Sequence, residues 1–313
     1  MTRLWTGRPS ITNLLRVIVK HSIRKNSTAI DPARIPLRIA QVSDVHLGGG
    51  LSLPDETLQG VAERVNEIKP DVAVIAGDLT TEGYEWEFEQ AVAWVQRIEA
   101  PTIVIPGNHD ARNVGYLHFR RRFGDPFCRF RQAFEPERAE RLRATGFTVV
   151  GLDSSEPDVD EGRVGFDRYP WLRDQLDEPD DIRIVTVHHH LVSIPSTGRE
   201  RNIVLDAGDL LLQLIDQDVD VVLSGHKHVP FFWGLNGMLI CNSGTAGTRR
   251  VRGVAPPSWN ELHIDASTIK VFIHYLDGRR ELSVIFSRRT RALMREAFFV
   301  TDDYRAANQI FGF

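Results

Sequence analysis

Histidine and acidic side chains recur in this sequence in five short clusters, each at the end of an apolar run. Seven of the 11 histidines lie in these clusters. Any one cluster alone is ordinary turn chemistry, but imidazole, carboxylate and amide groups in such a series suit Mn, Fe or Zn ions and proton transfer. The series therefore predicts a metal centre. In chain order the clusters are Asp44 and His46; Asp78; Asn108, His109 and Asp110; His188, His189 and His190; His226 and His228.

The elements that must position these clusters follow an α/β alternation. Apolar runs of strand length precede each cluster, as in "LRIAQVSD" and "TIVIPGNHD". Helical patterns lie between them, around residues 58–68, 88–98, 171–176 and 207–215. In open α/β sheets, ligands bind beyond the carboxyl ends of the strands. We therefore expect the five clusters to converge at one edge of the fold.

The pattern changes after the last cluster, where the helical patterns stop. Four consecutive strands are predicted there, joined by turns such as Asp277-Gly278. These strands favour a second, more antiparallel sheet that follows the first. They are Met238 to Asn242, Glu261 to Ile264, Ile269 to Tyr275 and Leu282 to Phe286.

The ordered motifs D-x-H, G-D, G-N-H-D, a histidine cluster and G-H-x-H resemble those of the calcineurin-like metallophosphoesterase superfamily. The resemblance covers roughly residues 37–265, with no motif position missing. Within the superfamily, the sequence most resembles the bacterial members that are related to cyclic-nucleotide phosphodiesterases. The resemblance implies an α/β fold that is a four-layer αββα sandwich, in which helices flank two mixed β-sheets. It also implies a centre of two divalent metal ions, Mn, Fe or Zn.

The same resemblance implies a role for each cluster. Asp78 is expected to bridge the two ions, Asp44, His46 and His228 to complete the first, and Asn108, His189 and His226 to complete the second. The histidine triplet leaves a choice open. Relatives commonly have His-His-Pro with the first histidine on the metal, and Leu191 stands here in the place of the proline. This alignment points to His189, with His188 as the next choice.

His109 is the expected proton donor. It follows Asn108 in a turn that Gly107 permits, so we expect its ring to point away from the metal, towards the leaving oxygen of a phosphate ester. Asp110 is expected to hold that ring. The implied reaction is in-line attack on phosphorus by a hydroxide that bridges the two ions. The alternative is that His109 only caps the turn.

The flanking segments differ from the domain between them. Residues 1–35 form a basic amphipathic segment with seven basic residues and one acidic residue, so this segment carries +6 and the rest of the chain −10 of the net −4. We favour the interpretation that this segment forms a helix packed on the surface of the domain. Peripheral contact with an anionic membrane is the alternative. The catalytic domain is predicted over 36–287. The aromatic tail, 288–313, is expected to pack on the domain or to form a homo-oligomer contact.

The substrate class is predicted from charge and from the family. Residues 111–146 carry nine arginines against four acidic residues and are predicted to form an insertion or cap; Arg249, Arg250 and Arg252 are further basic residues that could line the site. We predict a small nucleotide-like phosphodiester. A phosphomonoesterase and a DNA exonuclease are alternatives within the superfamily, although the −10 charge of the body disfavours a large nucleic-acid footprint. A non-catalytic metal-binding scaffold is the alternative of a different class.

The expected location is the cytoplasm. No apolar run is long enough to span a membrane, and no clean signal peptide is present. The only cysteines, Cys128 and Cys241, are predicted to be small core residues and not a disulfide framework.

Overall fold

A computed structural model of the chain describes residues 36–195, 197, 203–251 and 255–296. The basic segment 1–35, Arg252 and the aromatic residues of the tail lie outside the described residues, so the predictions made for them stay predictions. None of the described helices is long and apolar enough to cross a membrane.

The first sheet has seven strands in the described part of the chain, in the order β13-β12-β11-β10-β1-β2-β3. Strands β1, β2 and β3 are parallel, and the other neighbours pair antiparallel. The bounds are β1 Leu37–Val42, β2 Val72–Ala76, β3 Thr102–Ile105, β10 Ser258–Ile264, β11 Thr268–Tyr275, β12 Arg280–Ser287 and β13 Ala292–Glu296.

The second sheet has six strands among the described residues, in the order β4-β5-β6-β7-β9-β8. Its four central strands are parallel and its two edge strands are antiparallel, so both sheets are mixed. The bounds are β4 Cys128–Ala133, β5 Gly146–Leu152, β6 Asp181–Val187, β7 Val221–Ser224, β8 Phe231–Leu235 and β9 Met238–Asn242.

Six α-helices lie in the described part of the chain: α1 Asp55–Glu67, α2 Glu85–Val95, α3 Gly115–Phe123, α4 Pro136–Leu142, α5 Tyr169–Gln175 and α6 Ala207–Asp216. Helix α1 shows why the predicted helices form. Leu58, Val61 and Val65 recur at helical spacing and are buried, while Asp55 in the first turn complements the positive end of the helix dipole.

Three apolar cores separate four layers. The central core lies between the sheets and includes Ile39 and Val74 of the first sheet with Ile184 of the second. A second core lies between the first sheet and helices α1 to α3, and a third lies between the second sheet and helices α5 and α6. Strand β1 contributes to both faces of its sheet, as a strand buried on both sides must. The predicted αββα sandwich is confirmed.

The late antiparallel strands differ from the prediction in one respect. They do not form a separate sheet, because β10 pairs with the open edge of β1, with Leu37 opposite Ile264. Strands β10 to β13 therefore extend the first sheet, whereas the predicted strand Met238–Asn242, β9, pairs parallel with β7 in the second sheet. Strand β13 also carries the folded domain beyond residue 287, where the tail was predicted to begin.

The arginine-rich segment 111–146 is part of the sandwich. It contributes α3, the edge strand β4 and α4. Arg138 makes a bidentate buried pair with Asp71, at 2.8 and 2.9 Å, and Arg131 Nε lies 2.9 Å from Asp181. These two arginines bind acidic residues of the fold and are not available to cover the site, whereas the role of the whole segment as an insertion or cap stays a prediction.

Candidate metal centre and active site

All five predicted clusters meet at the carboxyl ends of parallel strands from both sheets. The loops after β1 and β2 run side by side, with His46 N donating to the Asp78 carbonyl at 2.9 Å. The loops of the second sheet join them: Gly225 N donates to the His188 carbonyl at 2.9 Å, and His226 N donates to the Asp44 carboxylate at 3.0 Å. The convergence expected from the sequence is therefore present.

The backbone at this edge is held in an uncommon conformation. Five of the cluster residues have left-handed φ angles, between 48° and 73°. Non-glycine residues adopt this region rarely, and they persist there when surrounding contacts fix the turn. The five residues are Asp44, His46, Asp78, His226 and His228.

Glycine is needed where these turns approach each other. A Cβ atom on Gly107 would lie 2.2 Å from Asp78 Oδ1, and one on Gly225 would lie 1.8 Å from Ser43 Oγ. Any side chain at either position would displace an acidic residue of the site or the turn beside it.

Asp44, His46 and His228 form the first group of buried donor atoms. His46 Nε2 lies 3.1 Å from His228 Nε2, which lies 3.2 Å from Asp44 Oδ1. His228 Nδ1–H donates to the Arg250 carbonyl, so the lone pair of Nε2 faces the group. Facing imidazole nitrogens beside a carboxylate are a donor set that fits a cation.

Asp78, His188 and His226 form the second group, and Asn108 lies beside it. His188 Nδ1–H donates to the Ala76 carbonyl at 2.7 Å, which turns Nε2 towards Asp78 Oδ2, 3.3 Å away. His226 Nδ1 lies 3.0 Å from Asn108 Oδ1, and its buried Nε2 has no hydrogen-bond partner among the described residues. Such an orphaned donor atom fits a metal ligand.

Asp78 lies between the two groups. Its Oδ2 is 3.7 Å from His46 Nε2 in the first group and 3.3 Å from His188 Nε2 in the second. Its Oδ1 accepts the backbone N–H of His109 at 2.9 Å, which fixes the carboxylate. This position suits the bridging role expected for Asp78.

Burial and the neighbouring carboxylates together set the charge states of the imidazoles. It lowers the pKa of His46 to about 3 and that of His226 well below its usual value, so both rings are neutral, the form that binds metals. Burial is the largest single influence on His188 and lowers its pKa, but the charge and hydrogen bond of Asp78, the charge of Asp44 and the bond to Ala76 together outweigh burial and raise that pKa to about 9.

His189 lies differently from its expected place. Its Nδ1 is 2.8 Å from Ser154 Oγ, and its Nε2 is 3.1 Å from the carbonyl oxygen of Asp160. Both ring nitrogens are thus occupied away from Asp78. Successive side chains at the end of β6 point to opposite sides, and His188 is the one that faces Asp78. The structure therefore favours His188, the second candidate from the sequence, as the histidine of this donor group.

His109 lies in the site, but Asp110 does not hold its ring. His109 Nδ1–H donates to the Thr81 carbonyl at 2.7 Å, and the ring packs edge-on against His46 at 4.6 Å between centroids. The Asp110 carboxylate instead accepts the backbone N–H groups of Leu79, Thr80 and Gly107. This corrects the expected role of Asp110, which ties the loop after β2 to the turn after β3.

One cavity opens onto both donor groups. Arg250, a basic residue expected to line the site, does so. The sequence did not identify Arg112 or Asp160 as residues of the site. Arg112 was considered only as one arginine of the arginine-rich segment, and no sequence signal marked Asp160. The lining residues are Asp78, Asn108, His109, Arg112, Asp160, His226, His228 and Arg250.

The family model of calcineurin-like phosphoesterases matches residues 37–230, which include every residue of the two donor groups. The chain belongs to the calcineurin-like phosphoesterase family. It is thus a metal-dependent phosphoric ester hydrolase, and its two groups of buried donors fit divalent ions.

Relatives of this calcineurin-like phosphoesterase include bacterial phosphodiesterases. It is 28% identical over 255 residues to a Synechococcus protein described as a probable cyclic nucleotide phosphodiesterase, covering 77% of this chain and 93% of that one. It is 30% identical over 211 residues to a probable glycerophosphodiester phosphodiesterase of Arcobacter nitrofigilis, covering 61% and 71% of the two chains.

The fold of this calcineurin-like phosphoesterase recurs in a dimetal phosphatase from Danio rerio. The TM-score is 0.60 over 80% of this chain and 99% of that one, at 10% identity. At this identity the similarity concerns the fold alone.

Proposed function

We propose that this chain hydrolyses a small, nucleotide-like phosphodiester with two divalent metal ions. The observation that carries the proposal is the position of Asp78 between two groups of buried donors. In this proposal Asp44, His46 and His228 would hold one ion, Asn108, His188 and His226 would hold the other, and Asp78 would serve both. His188 replaces His189 because its Nε2 is the one directed at Asp78.

Two bound ions would supply an activated water and neutralise the charge that develops on the phosphate. His109 acts on the leaving group. Its Nδ1–H is committed to the Thr81 carbonyl, so the proton for the leaving group comes from Nε2 of the doubly protonated ring. The attacking water releases one proton to solvent as its oxygen bonds to phosphorus, the bond from phosphorus to the leaving oxygen breaks, and that oxygen takes up the proton of His109 Nε2. Solvent then returns a proton to His109. The products are an alcohol and a phosphomonoester.

Two observations support a small diester as the substrate. The relatives described above are named as phosphodiesterases with different leaving groups, so the diester is the common element of their names. In addition, Arg129 and Arg131 pair with Glu178, and Arg121 and Arg122 pair with Glu85. These arginines are therefore poorly placed to follow a nucleic-acid backbone, which disfavours the exonuclease alternative.

The proposal is tested by hydrolysis of bis(p-nitrophenyl) phosphate beside p-nitrophenyl phosphate. The protein is stripped of metal and refilled with Mn²⁺, and Asp78→Asn serves as the control. We expect diester turnover that requires the metal and is lost in Asp78→Asn. Active protein would then be screened on cyclic and linear nucleotides.

The other outcomes separate the alternatives. Preference for the monoester would replace the proposal with a phosphomonoesterase. Metal binding without turnover of either probe or of any nucleotide would favour the non-catalytic scaffold. The cytoplasmic location and a homo-oligomer stay predictions.

A further inference from the structure

Asp160 places a carboxylate at the mouth of the site, beside the amide of Asn108. The Asn108 Nδ2–H group donates to Asp160 Oδ1 at 3.2 Å, while Asn108 Oδ1 on the other side of the amide lies 3.0 Å from His226 Nδ1. Asn108 is buried, whereas the side chain of Asp160 is 61% exposed. The carboxylate thus marks the boundary between the buried donors and solvent.

The loop that carries Asp160 is fixed by His189. The His189 Nε2–H group donates to the Asp160 carbonyl at 3.1 Å, and Nδ1 accepts from Ser154 Oγ at 2.8 Å, so one neutral tautomer makes both bonds. The loop backbone packs directly on the ring: a Cβ atom on Gly162 would lie 2.5 Å from the imidazole. Asp160 is therefore anchored at its main chain as well as at its side chain.

Negative charge is in excess at this mouth. The cleft next to the metal cavity is lined by Glu82, Asp158, Asp160 and Glu161, with Arg112 as its only basic residue in the described chain. Arg112 lies between two carboxylates, 3.2 Å from Glu82 and 3.4 Å from Asp160. One guanidinium cannot neutralise both, so this side of the mouth carries a net negative charge, whereas Arg250 lines the metal cavity itself.

We propose that Asp160 determines specificity by charge: it admits phosphodiesters, which carry one negative charge, and disfavours phosphomonoesters, which carry two. This inference rests on the proposed function. A monoester gains its second charge above its second pKa of about 6. An additional unit charge about 5 Å from a partly solvated carboxylate is disfavoured by about tenfold. The monoester product of diester hydrolysis carries that second charge, so the same carboxylate favours its release.

The test compares Asp160→Asn with wild type on two substrates that have the same leaving group. Methyl p-nitrophenyl phosphate is a monoanionic diester, and p-nitrophenyl phosphate is a dianionic monoester at about pH 8. Asparagine keeps an oxygen that can accept from Asn108. We expect kcat/KM for the monoester, relative to the diester, to rise about tenfold in Asp160→Asn.

The matched control is Asp158→Asn, which removes the same charge two residues away. Asp158 lines the outer cleft but not the metal cavity, so its ratio is expected to stay near that of wild type. A binding readout accompanies the kinetics: calorimetric titration of the Mn²⁺-loaded proteins with sulfate, a dianion, and with dimethyl phosphate, a monoanion. Only Asp160→Asn should bind sulfate more tightly relative to dimethyl phosphate.

Two outcomes would overturn the inference and leave the proposed function intact. In the first, wild type hydrolyses the diester with metal but the substrate ratio is unchanged in Asp160→Asn. In the second, both activities fall together with the bound metal, which would make Asp160 only a support for Asn108. If the metal-loaded wild type did not hydrolyse the diester, that result would instead count against the proposed function.

Discussion

His188 directs Nε2 at Asp78 Oδ2, 3.3 Å away, while its Nδ1–H donates to the Ala76 carbonyl. In His188→Asn the amide can still donate to the Ala76 carbonyl, but the nitrogen that faces Asp78 is lost. We therefore expect His188→Asn to retain about one metal ion where wild type retains two, as measured by mass spectrometry after dialysis against Mn²⁺.

The matched variant is His189→Asn. In the wild type the ring nitrogens of His189 bind Ser154 and Asp160, so this substitution should leave the metal content at the wild-type level. The reverse result, with metal lost in His189→Asn and kept in His188→Asn, would restore the assignment made from the missing proline.

His109 should affect the reaction rather than the metal. In His109→Asn the amide N–H can replace the ring Nδ1–H that donates to Thr81, but the proton donor is absent. We expect kcat to fall by about 10²- to 10⁴-fold for a diester with an alkyl alcohol leaving group. The loss should be much smaller for p-nitrophenolate, which leaves without a proton.

The discriminating measurement is the ratio of these two losses at unchanged metal content. Equal losses for both leaving groups would mean that His109 acts on the phosphate or on the fold, and would remove it as the proton donor.

Among the elements, the buried pair of Arg138 on α4 and Asp71 before β2 tests whether the arginine-rich segment is structural. Both side chains are almost inaccessible, and their contact is bidentate. Removal of one partner leaves a buried charge unpaired, so Arg138→Met should lower the free energy of unfolding by about 3 to 5 kcal/mol in a urea titration.

Arg141 on the same helix is the control. It pairs with Glu137, but both side chains are about half exposed, so Arg141→Met should change the free energy of unfolding by less than about 1 kcal/mol. Folded Arg138→Met should keep its specific activity. A selective loss of activity would show that the segment serves the substrate after all.

The local sequence pattern was sufficient to predict most helices and strands, but not which strands pair with each other. The apolar runs before each cluster predicted the parallel strands, because these residues must be buried on both faces. The pairing of β10 with β1 depends on contact between residues more than 200 positions apart, which no local pattern encodes. Strand β4 was missed although Arg129, Phe130 and Arg131 alternate in a strand period, because the density of arginines suggested an insertion or cap.

The site was predictable to a similar degree. The motif series identified the donor clusters, and the strand-end rule explained their convergence. Ring orientation was not accessible, because it depends on bonds to backbone carbonyls such as Ala76 and Thr81 that only the folded chain brings near. Asp160 was missed for the same reason, since its loop reaches the site through His189.

For the whole molecule, the donors link the two sheets. Asp44, His46 and Asp78 follow strands of the first sheet, whereas His188, His226 and His228 follow strands of the second. Metal that binds only the folded chain should therefore stabilise the entire sandwich. At about 100 times its Kd, Mn²⁺ should add about 2.7 kcal/mol to the free energy of unfolding.

Thermal unfolding with and without Mn²⁺ measures this effect. A single transition that shifts upward as one unit is expected, and the shift should be absent in Asp78→Asn. Two separated transitions, with only one of them sensitive to metal, would show that the sheets unfold independently.

The left-handed turns at the strand ends have a consequence for the history of such a chain. Each of the five non-glycine residues held there disfavours folding by about 1 kcal/mol, in a protein whose total stability is typically about 5 to 15 kcal/mol. Selection for metal chemistry would favour histidine and aspartate at these positions, where Asp44 and Asp78 also accept backbone N–H groups. In a descendant released from that selection, substitution by glycine or asparagine would make folding easier. In proteins of this fold that have lost activity, we therefore expect substitutions first at the positions equivalent to Asp44, His46, Asp78, His226 and His228.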